Sequence, residues 1–276
     1  MTTNRVHTAT SAGPTRLELV QHSGHIELRV DPDATHATVS ITSTAESGPT
    51  ADAVAKTTFS QLGQNLRVEV PTDAHSGGVV FNSGSSTVMS FGSISGGIVI
   101  GNENGSSMIF GGVSGPVSVN GVDVTDYVNA QSGGAANAVV RTCVVLPRGS
   151  EAVLDAGRST IETQGRLTLL DYSASSGRLT AQSVARLDVK LAMGSADVRE
   201  VTEEVRVYVS SGSVDIASYS GSAARVSVSS GSVNLHAEPH STGRLDVSVS
   251  SGTAHITGAG HLQVRQRCST GSITVV

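Results

Sequence analysis

A repeat of about nineteen residues fills the second half of this 276-residue chain. The units align one below the other, as VRVYVSSGSVDI at 205–216, ARVSVSSGSVNL at 224–235 and LDVSVSSGTAHI at 245–256. A glycine anchors each unit, and the anchors lie 17 to 21 residues apart: Gly157, Gly177, Gly194, Gly212, Gly231, Gly252 and Gly271. A unit this short cannot bury a core alone, so the period indicates stacked units that share one core.

The apolar pattern inside each unit predicts which elements are stacked. Small aliphatic residues alternate with polar ones on both sides of each glycine, as in Val205, Val207 and Val209 before Gly212. Alternation with a period of two is typical of strands with one buried face, and glycine between them indicates a corner that needs a permissive backbone. We therefore predict an all-β fold, a single-stranded, right-handed parallel β-helix (β-solenoid) with about 19 residues per rung. Residues 135–276 form its regular repeats.

The first part of the chain, residues 1–73, is expected to add rungs to the same stack. Apolar residues alternate on both sides of Gly24 in the sequence LELVQHSGHIELRV. One short amphipathic helix is predicted at about 51–62, with Thr50 as its N-cap and Gly63 as its stop. This helix would cap one end or side of the stack, since an open solenoid end invites aggregation.

Residues 74–134 differ from the rest in composition. They hold fourteen glycines, three of the four phenylalanines and no lysine or arginine. The segment is interpreted as an insertion or as extra rungs, either ordered or flexible. Apolar windows without charges favour self-association, which makes this segment one candidate contact surface.

Charge and cysteine content exclude several classes of protein. The net charge is −5, which gives no electrostatic footprint for nucleic acid. No apolar stretch is long enough to span a bilayer, and residues 1–19 lack a signal-peptide pattern. Two cysteines, Cys143 and Cys268, cannot build a disulfide framework. We expect a cytoplasmic location, with non-classical export left open.

The search for chemistry gives only weak candidates. P-loop, HExxH and CxxC motifs are absent from the sequence. One outward column, three residues after successive glycines, contains Asp197, Asp215, Asn234 and His255. Two carboxylates one rung apart can bind a cation or share a proton, which makes this the best ligand-binding candidate. We expect no catalytic residue, no metal and no cofactor.

Two other columns of the repeat have simpler interpretations. Cys268 falls in a valine column and is expected to be a small buried hydrophobe. Gln266 falls in the neighbouring apolar column and marks a rung where the core opens. A third, outward column is interpreted as a solvated face of weakly paired charges: Asp171, Asp188, Arg206, Arg225, Asp246 and Arg265.

The sequence from Val145 onward, VLPRGSEAVLDAGRST, followed by serial SSGS corners, resembles the bacterial toast-rack domain. This is a putative-adhesin β-strand-repeat domain of unknown function. The resemblance covers residues 139–276 and implies a β-helix with a surface for protein interaction, often linked to envelope-stress systems. The chain departs from the family pattern in two ways. Arg178 or a hydroxyl residue such as Ser195 follows the corner glycine where relatives often have Asp, and the signal or anchor of many relatives is missing.

These observations together predict a non-enzymatic β-solenoid interaction or scaffold protein. It would bind a protein partner or itself through the C-terminal rung or the 74–134 segment. One alternative is a carbohydrate-binding or carbohydrate-active β-helix protein that uses the Asp197 column. A second alternative is a surface adhesin.

Overall fold

The computed structural model of the protein describes residues 3–71 and 139–276, together with six two-residue strands between them. The first part contains one helix, α1 (Pro49–Lys56), and six strands: β1 (Asn4–Ala12), β2 (Arg16–Gln21), β3 (His25–Asp31), β4 (His36–Ser43), β5 (Thr58–Leu62) and β6 (Asn65–Val70). The short strands are β7 (Asn82–Ser83), β8 (Ser86–Thr87), β9 (Ser90–Phe91), β10 (Ile109–Phe110), β11 (Ser118–Val119) and β12 (Val122–Asp123).

Twelve further strands follow in the second part of the chain. They are β13 (Val140–Pro147), β14 (Glu151–Asp155), β15 (Thr160–Ala174), β16 (Arg178–Leu191), β17 (Ser195–Val209), β18 (Ser213–Tyr219), β19 (Ala223–Val228), β20 (Ser232–Ala237), β21 (Arg244–Val249), β22 (Thr253–Thr257), β23 (Gln263–Cys268) and β24 (Ser272–Val275).

Parallel pairing arranges these strands in two ladders that meet at the glycine corners. The pre-corner ladder contains β2, β14, the second halves of β15, β16 and β17, then β19, β21 and β23. The post-corner ladder contains β3, the first halves of β15, β16 and β17, then β18, β20, β22 and β24. The predicted β-solenoid with about 19 residues per rung is confirmed. The hand of the coil stays a prediction.

The core lies between the two ladders and is lined by the alternating aliphatic residues of each strand. Valine stacks on valine from rung to rung, as in the register Val207–Val226–Val247. Among the described residues, the largest fully buried side chains are Tyr172 and Tyr219. One continuous apolar cluster includes residues of both described parts, so the early rungs and the repeats share a single core.

The rungs do not stack in sequence order at the start of the solenoid. Strand β2 lies between β6 and β14, and β3 lies between β13 and β15. Gln21 aligns with Val70, and His25 aligns with Arg141. Residues 71–140 therefore connect the two ladders at the position where the neighbouring rung uses only the three-residue corner 22–24. The interpretation of 74–134 as an insertion or extra rungs falls outside the described residues, apart from the six short strands, and stays a prediction.

The predicted helix at 51–62 is wrong in its second half. Helix α1 ends at Lys56, and Thr58–Leu62 forms β5, which pairs antiparallel with β6. Its N-cap is Gly48 rather than Thr50, and Gly63 lies in the turn between β5 and β6. The β-branched pair at 57–58 and the following phenylalanine favour a strand, and β6 supplies the hydrogen bonds that a longer helix would have made internally.

The helix closes one end of the core. It packs against β6, which pairs with β2 of the pre-corner ladder, and against β1 and β4, which β13 joins to β3 of the post-corner ladder. It buries Ala51, Ala53 and Val54. The guanidinium of Arg5 on β1 donates hydrogen bonds to the carbonyl oxygens of Ala55 (2.8 Å) and Thr57. A cation at the C-terminus also complements the helix dipole. The predicted capping role of the helix is confirmed.

Candidate functional site

The corner glycines stack directly on one another along the solenoid. A Cβ atom at Gly231, Gly252 or Gly271 would lie 2.2–2.3 Å from the carbonyl oxygen of the preceding corner glycine. That oxygen is already in use, since Gly212 O accepts a hydrogen bond from Ser232 N at 3.0 Å. The spacing between rungs therefore leaves no room for a side chain at these corners.

This stacking specifies why glycine is needed at the corners, where the sequence predicted only a permissive backbone. A positive φ, which favours glycine, is present at Gly157 (φ 46°) and Gly194 (φ 100°). It is not present at Gly177, Gly212, Gly231, Gly252 and Gly271, where close approach of the neighbouring rung is the constraint. The resulting groove has a volume of about 430 Å³ and is lined only by glycine, serine and threonine. It is polar but carries no titratable group.

The structure brings the predicted ligand column into one line. Asp197, Asp215, Asn234 and His255 are register partners on four consecutive rungs of the post-corner ladder, and all four are exposed. The Asn234 side-chain amide donates to a carboxylate oxygen of Asp215 at 3.2 Å. Within residues 3–71 and 139–276 and the short strands, no group of three or more His, Cys, Asp or Glu is placed to hold a metal ion. The column is an open, exposed row rather than an enclosed site.

The rung formed by β23 and β24 is open. Gln266 is exposed and aligns with Val247, as predicted for a rung where the core opens. Cys268 aligns with Val249 in the predicted column, but it is exposed, so its predicted burial is wrong. The predicted register of Cys268 is confirmed. Its side chain is exposed because no described strand covers this rung from its outer side. Other core-facing residues of the rung are half-buried: Val264, Ile273 and Val275.

A depression on the outer face of the pre-corner ladder was missed by sequence reasoning. It has a volume of about 670 Å³ and spans β16, β17, β19 and β21. Its rim on β16, β17 and β21 contains Asp188, Lys190, Glu204, Arg206, Tyr208, Arg244 and Asp246. Its floor lies at β19 and is lined by the small Ala223 and by Arg225. The predicted column of solvated charges passes through this depression.

Ion pairs organise the rim of the depression. Arg206 contacts Glu204 at 2.8 Å, and Arg244 contacts Asp246 at 2.7 Å. Lys190 lies 3.5 Å from Asp188 and 3.6 Å from Asp171. Burial lowers the pKa of Lys190, but the Asp171 and Asp188 carboxylates raise it by more, so the pKa lies above its usual value.

The architecture defines a β-solenoid repeat protein that is capped by a helix at one end and exposes edge strands at the other. Residues 140–276 match the model of the Toastrack DUF4097 family. The resemblance of residues 139–276 to the toast-rack domain is thereby confirmed. A search of curated proteins finds no match.

Solved structures with a similar fold include two putative adhesins and a putative lipid binding protein. A putative adhesin from Bacteroides fragilis has a TM-score of 0.52 and 13% sequence identity, over 99% of this chain and 97% of that chain. A putative adhesin from Parabacteroides distasonis has a TM-score of 0.48 and 12% identity, over 99% and 97%. A putative lipid binding protein from the same species has a TM-score of 0.43 and 13% identity, over 99% and 96%. At such low identity the likeness concerns the fold. Among the helices of the described residues, none is long and apolar enough to cross a membrane.

Proposed function

We propose that the protein is a non-enzymatic β-solenoid interaction protein that binds a second copy of itself through the rung of β23 and β24. The observation that supports the proposal is the state of this rung. Its core-facing residues Val264, Ile273 and Val275 are only half-buried, whereas their register partners one rung inward are fully buried. Two adjacent strand edges without a described partner offer backbone groups for pairing with another chain.

Charge favours one arrangement of the two copies. Arg265 and Arg267 point outward on β23, so pairing β23 with the same strand of a second copy would set arginines against arginines. Pairing β23 with β24 of the second copy instead sets them beside Ser272 and Thr274, which are neutral. A two-fold axis produces the contact between β23 of one copy and β24 of the other copy twice. The result is a closed dimer with a continuous core.

The test is the oligomeric state of matched variants in light scattering coupled to size exclusion. The unmodified chain is expected to change from monomer to dimer as concentration rises. Ile273→Lys places a charge on the core-facing side and should give a monomer at all concentrations. His255→Lys places the same charge on the outward side of the neighbouring strand β22, one rung away from the proposed contact, and should still dimerise. A monomeric unmodified chain at high concentration, or equal behaviour of the two variants, would contradict the proposal.

The compartment distinguishes the scaffold from the adhesin alternative. Both cysteines of the chain, Cys143 and Cys268, are free, which supports the reducing cytoplasm as the place of action. Fractionation of cells that produce the tagged full-length protein is expected to recover it with cytoplasmic markers. Recovery at the cell surface would favour the adhesin alternative, while dimerisation through β23 and β24 would be tested separately by the lysine variants.

A further inference from the structure

The depression on the pre-corner ladder places an unpartnered arginine at its centre. Arg225 lies on β19 between two small outward residues, Ala223 and Ser227. The neighbouring cations Arg206 and Arg244 are held by carboxylates on their own strands. Arg225 makes no ion pair or hydrogen bond with any residue that the structure describes, so its five donors are available to a ligand.

An exposed aromatic ring lies beside this arginine. Tyr208 is 39% exposed, and among the phenylalanines and tyrosines of residues 3–71 and 139–276 it is the one that is exposed. In the sheet register Tyr208 aligns with Ser227, which places it diagonally from Arg225. In a parallel sheet, strands lie about 4.8 Å apart and residues on one face about 6.6 Å apart along a strand, so diagonal neighbours lie about 8 Å apart. A six-membered sugar ring fits this gap, and its C–H bonds can face the electron-rich surface of the phenol ring.

The carboxylates of the rim select against a densely charged ligand. Asp188, Glu204 and Asp246 line the same depression as the arginine, so an acidic peptide with a charge on every residue would meet repulsion. A polysaccharide with one carboxylate per sugar unit avoids much of this repulsion. Its hydroxyl groups also supply donors that the rim carboxylates accept.

We propose that this depression binds a uronate unit of an acidic polysaccharide. The ligand carboxylate accepts paired hydrogen bonds from the Arg225 guanidinium. The sugar ring lies over Tyr208, and sugar hydroxyls donate to the carboxylates of Glu204 and Asp246. A volume of about 670 Å³ lies within the range of small-molecule sites, so it holds the uronate and its neighbours along the polymer. The site lies on the outer face of the ladder, whereas the proposed dimer uses the free edges of β23 and β24, so binding at the site does not depend on the dimer.

Titration calorimetry with trigalacturonic acid tests the proposal on the full-length protein. Binding by the unmodified chain is expected, with a tenfold or greater loss of affinity in Arg225→Gln and at least a fivefold loss in Tyr208→Ala. The matched control is Arg265→Gln, because Arg265 stands in the same outward column two rungs away but outside the depression. Its affinity should equal that of the unmodified chain. Circular dichroism should show the same fold for all four proteins.

Two comparison ligands decide the chemical class of the partner. Maltotriose has the size of the probe without its charge and should bind at least tenfold more weakly. A poly-glutamate peptide has the charge without the sugar rings and should also bind more weakly. No binding of trigalacturonic acid, equal binding of maltotriose, stronger binding of poly-glutamate, or equal losses in Arg225→Gln and Arg265→Gln would each overturn the proposal. The monomeric Ile273→Lys variant should bind the probe normally, which separates this result from the dimer test.

Discussion

Substitution of one corner glycine by alanine should lower the free energy of unfolding by more than a backbone conformational preference can explain. In Gly231→Ala, the new Cβ would lie 2.2 Å from Gly212 O and 2.6 Å from a methyl group of Val209. Relief of the contact with oxygen requires the rungs to move apart by about 1 Å. Such a shift breaks the 3.0 Å hydrogen bond from Ser232 N to Gly212 O. Overpacking at about 1–3 kcal/mol and a lost hydrogen bond at about 1 kcal/mol predict a loss of about 2–4 kcal/mol.

Three other glycines separate steric contact from backbone strain. Gly260 has neither a close neighbour nor a left-handed backbone, so Gly260→Ala should change the free energy of unfolding by less than about 0.5 kcal/mol. Gly63 has φ +60° and open space, so its alanine variant should cost about 1 kcal/mol through strain alone. Gly194 combines φ +100° with a Cβ position 2.1 Å from Gly177 O and should cost most.

Urea unfolding followed by far-ultraviolet circular dichroism measures these differences. With equal m-values, the midpoints should fall in the order Gly260→Ala, Gly63→Ala, Gly231→Ala, Gly194→Ala, from highest to lowest. If Gly231→Ala were as stable as Gly260→Ala, close stacking would not be the reason for glycine at the corners. A larger loss in Gly63→Ala than in Gly231→Ala would instead favour backbone conformation as the cause.

Three further outcomes are expected. Burial raises the pKa of Tyr172 from 10.0 to about 12. The free energy of unfolding should therefore fall by up to about 3 kcal/mol as the pH rises from the unfolded-state pKa to the folded-state pKa. Urea titrations of Tyr172→Phe should show a smaller alkaline loss, and an equal loss would count against this cause. Replacement of residues 71–140 by the corner sequence His-Ser-Gly of 22–24 should leave a folded solenoid by circular dichroism, whereas aggregation would contradict the register. Arg5→Ala should lower the unfolding midpoint by the equivalent of about 1–2 kcal/mol, because two carbonyls at the end of α1 lose their donor, and an unchanged midpoint would argue against that role.

Much of the fold could be predicted because the same alternation of apolar and polar residues recurs in every repeat. Strand period two on both sides of each glycine fixes which residues face the core, and the fixed spacing aligns equivalent residues of successive rungs. Thus Asp197 and Asp215 are register partners on neighbouring strands. The single unit around Gly24 was also readable, since it follows the same pattern. Its place beside the rung of Gly157 was not, because a long-range neighbour leaves no mark in local periodicity.

Local patterns failed where a neighbouring strand decides the outcome. Residues 51–62 have apolar residues at helical spacing, but β6 provides a pairing edge, and the second half of the segment becomes a strand. Cys268 occupies an apolar column, yet its exposure depends on whether another rung covers it. In both cases the deciding partner is distant in sequence, so periodicity gives the position of a residue and cannot give its surroundings.

The candidate ligand site arises from departures from the repeat rather than from the repeat itself. In one outward column, Tyr208 aligns with Lys190 and Ser227 of the adjacent rungs. In another outward column, the small Ala223 aligns with the long side chains of Glu204 and Arg244. One large residue and one small residue on adjacent rungs are enough to turn a flat sheet face into a depression. Because the core fixes only the inward columns, the outward ones are free to vary without cost to the fold. In a solenoid such as this, an irregular residue in a regular outward column is therefore the sequence signal that best indicates a binding site.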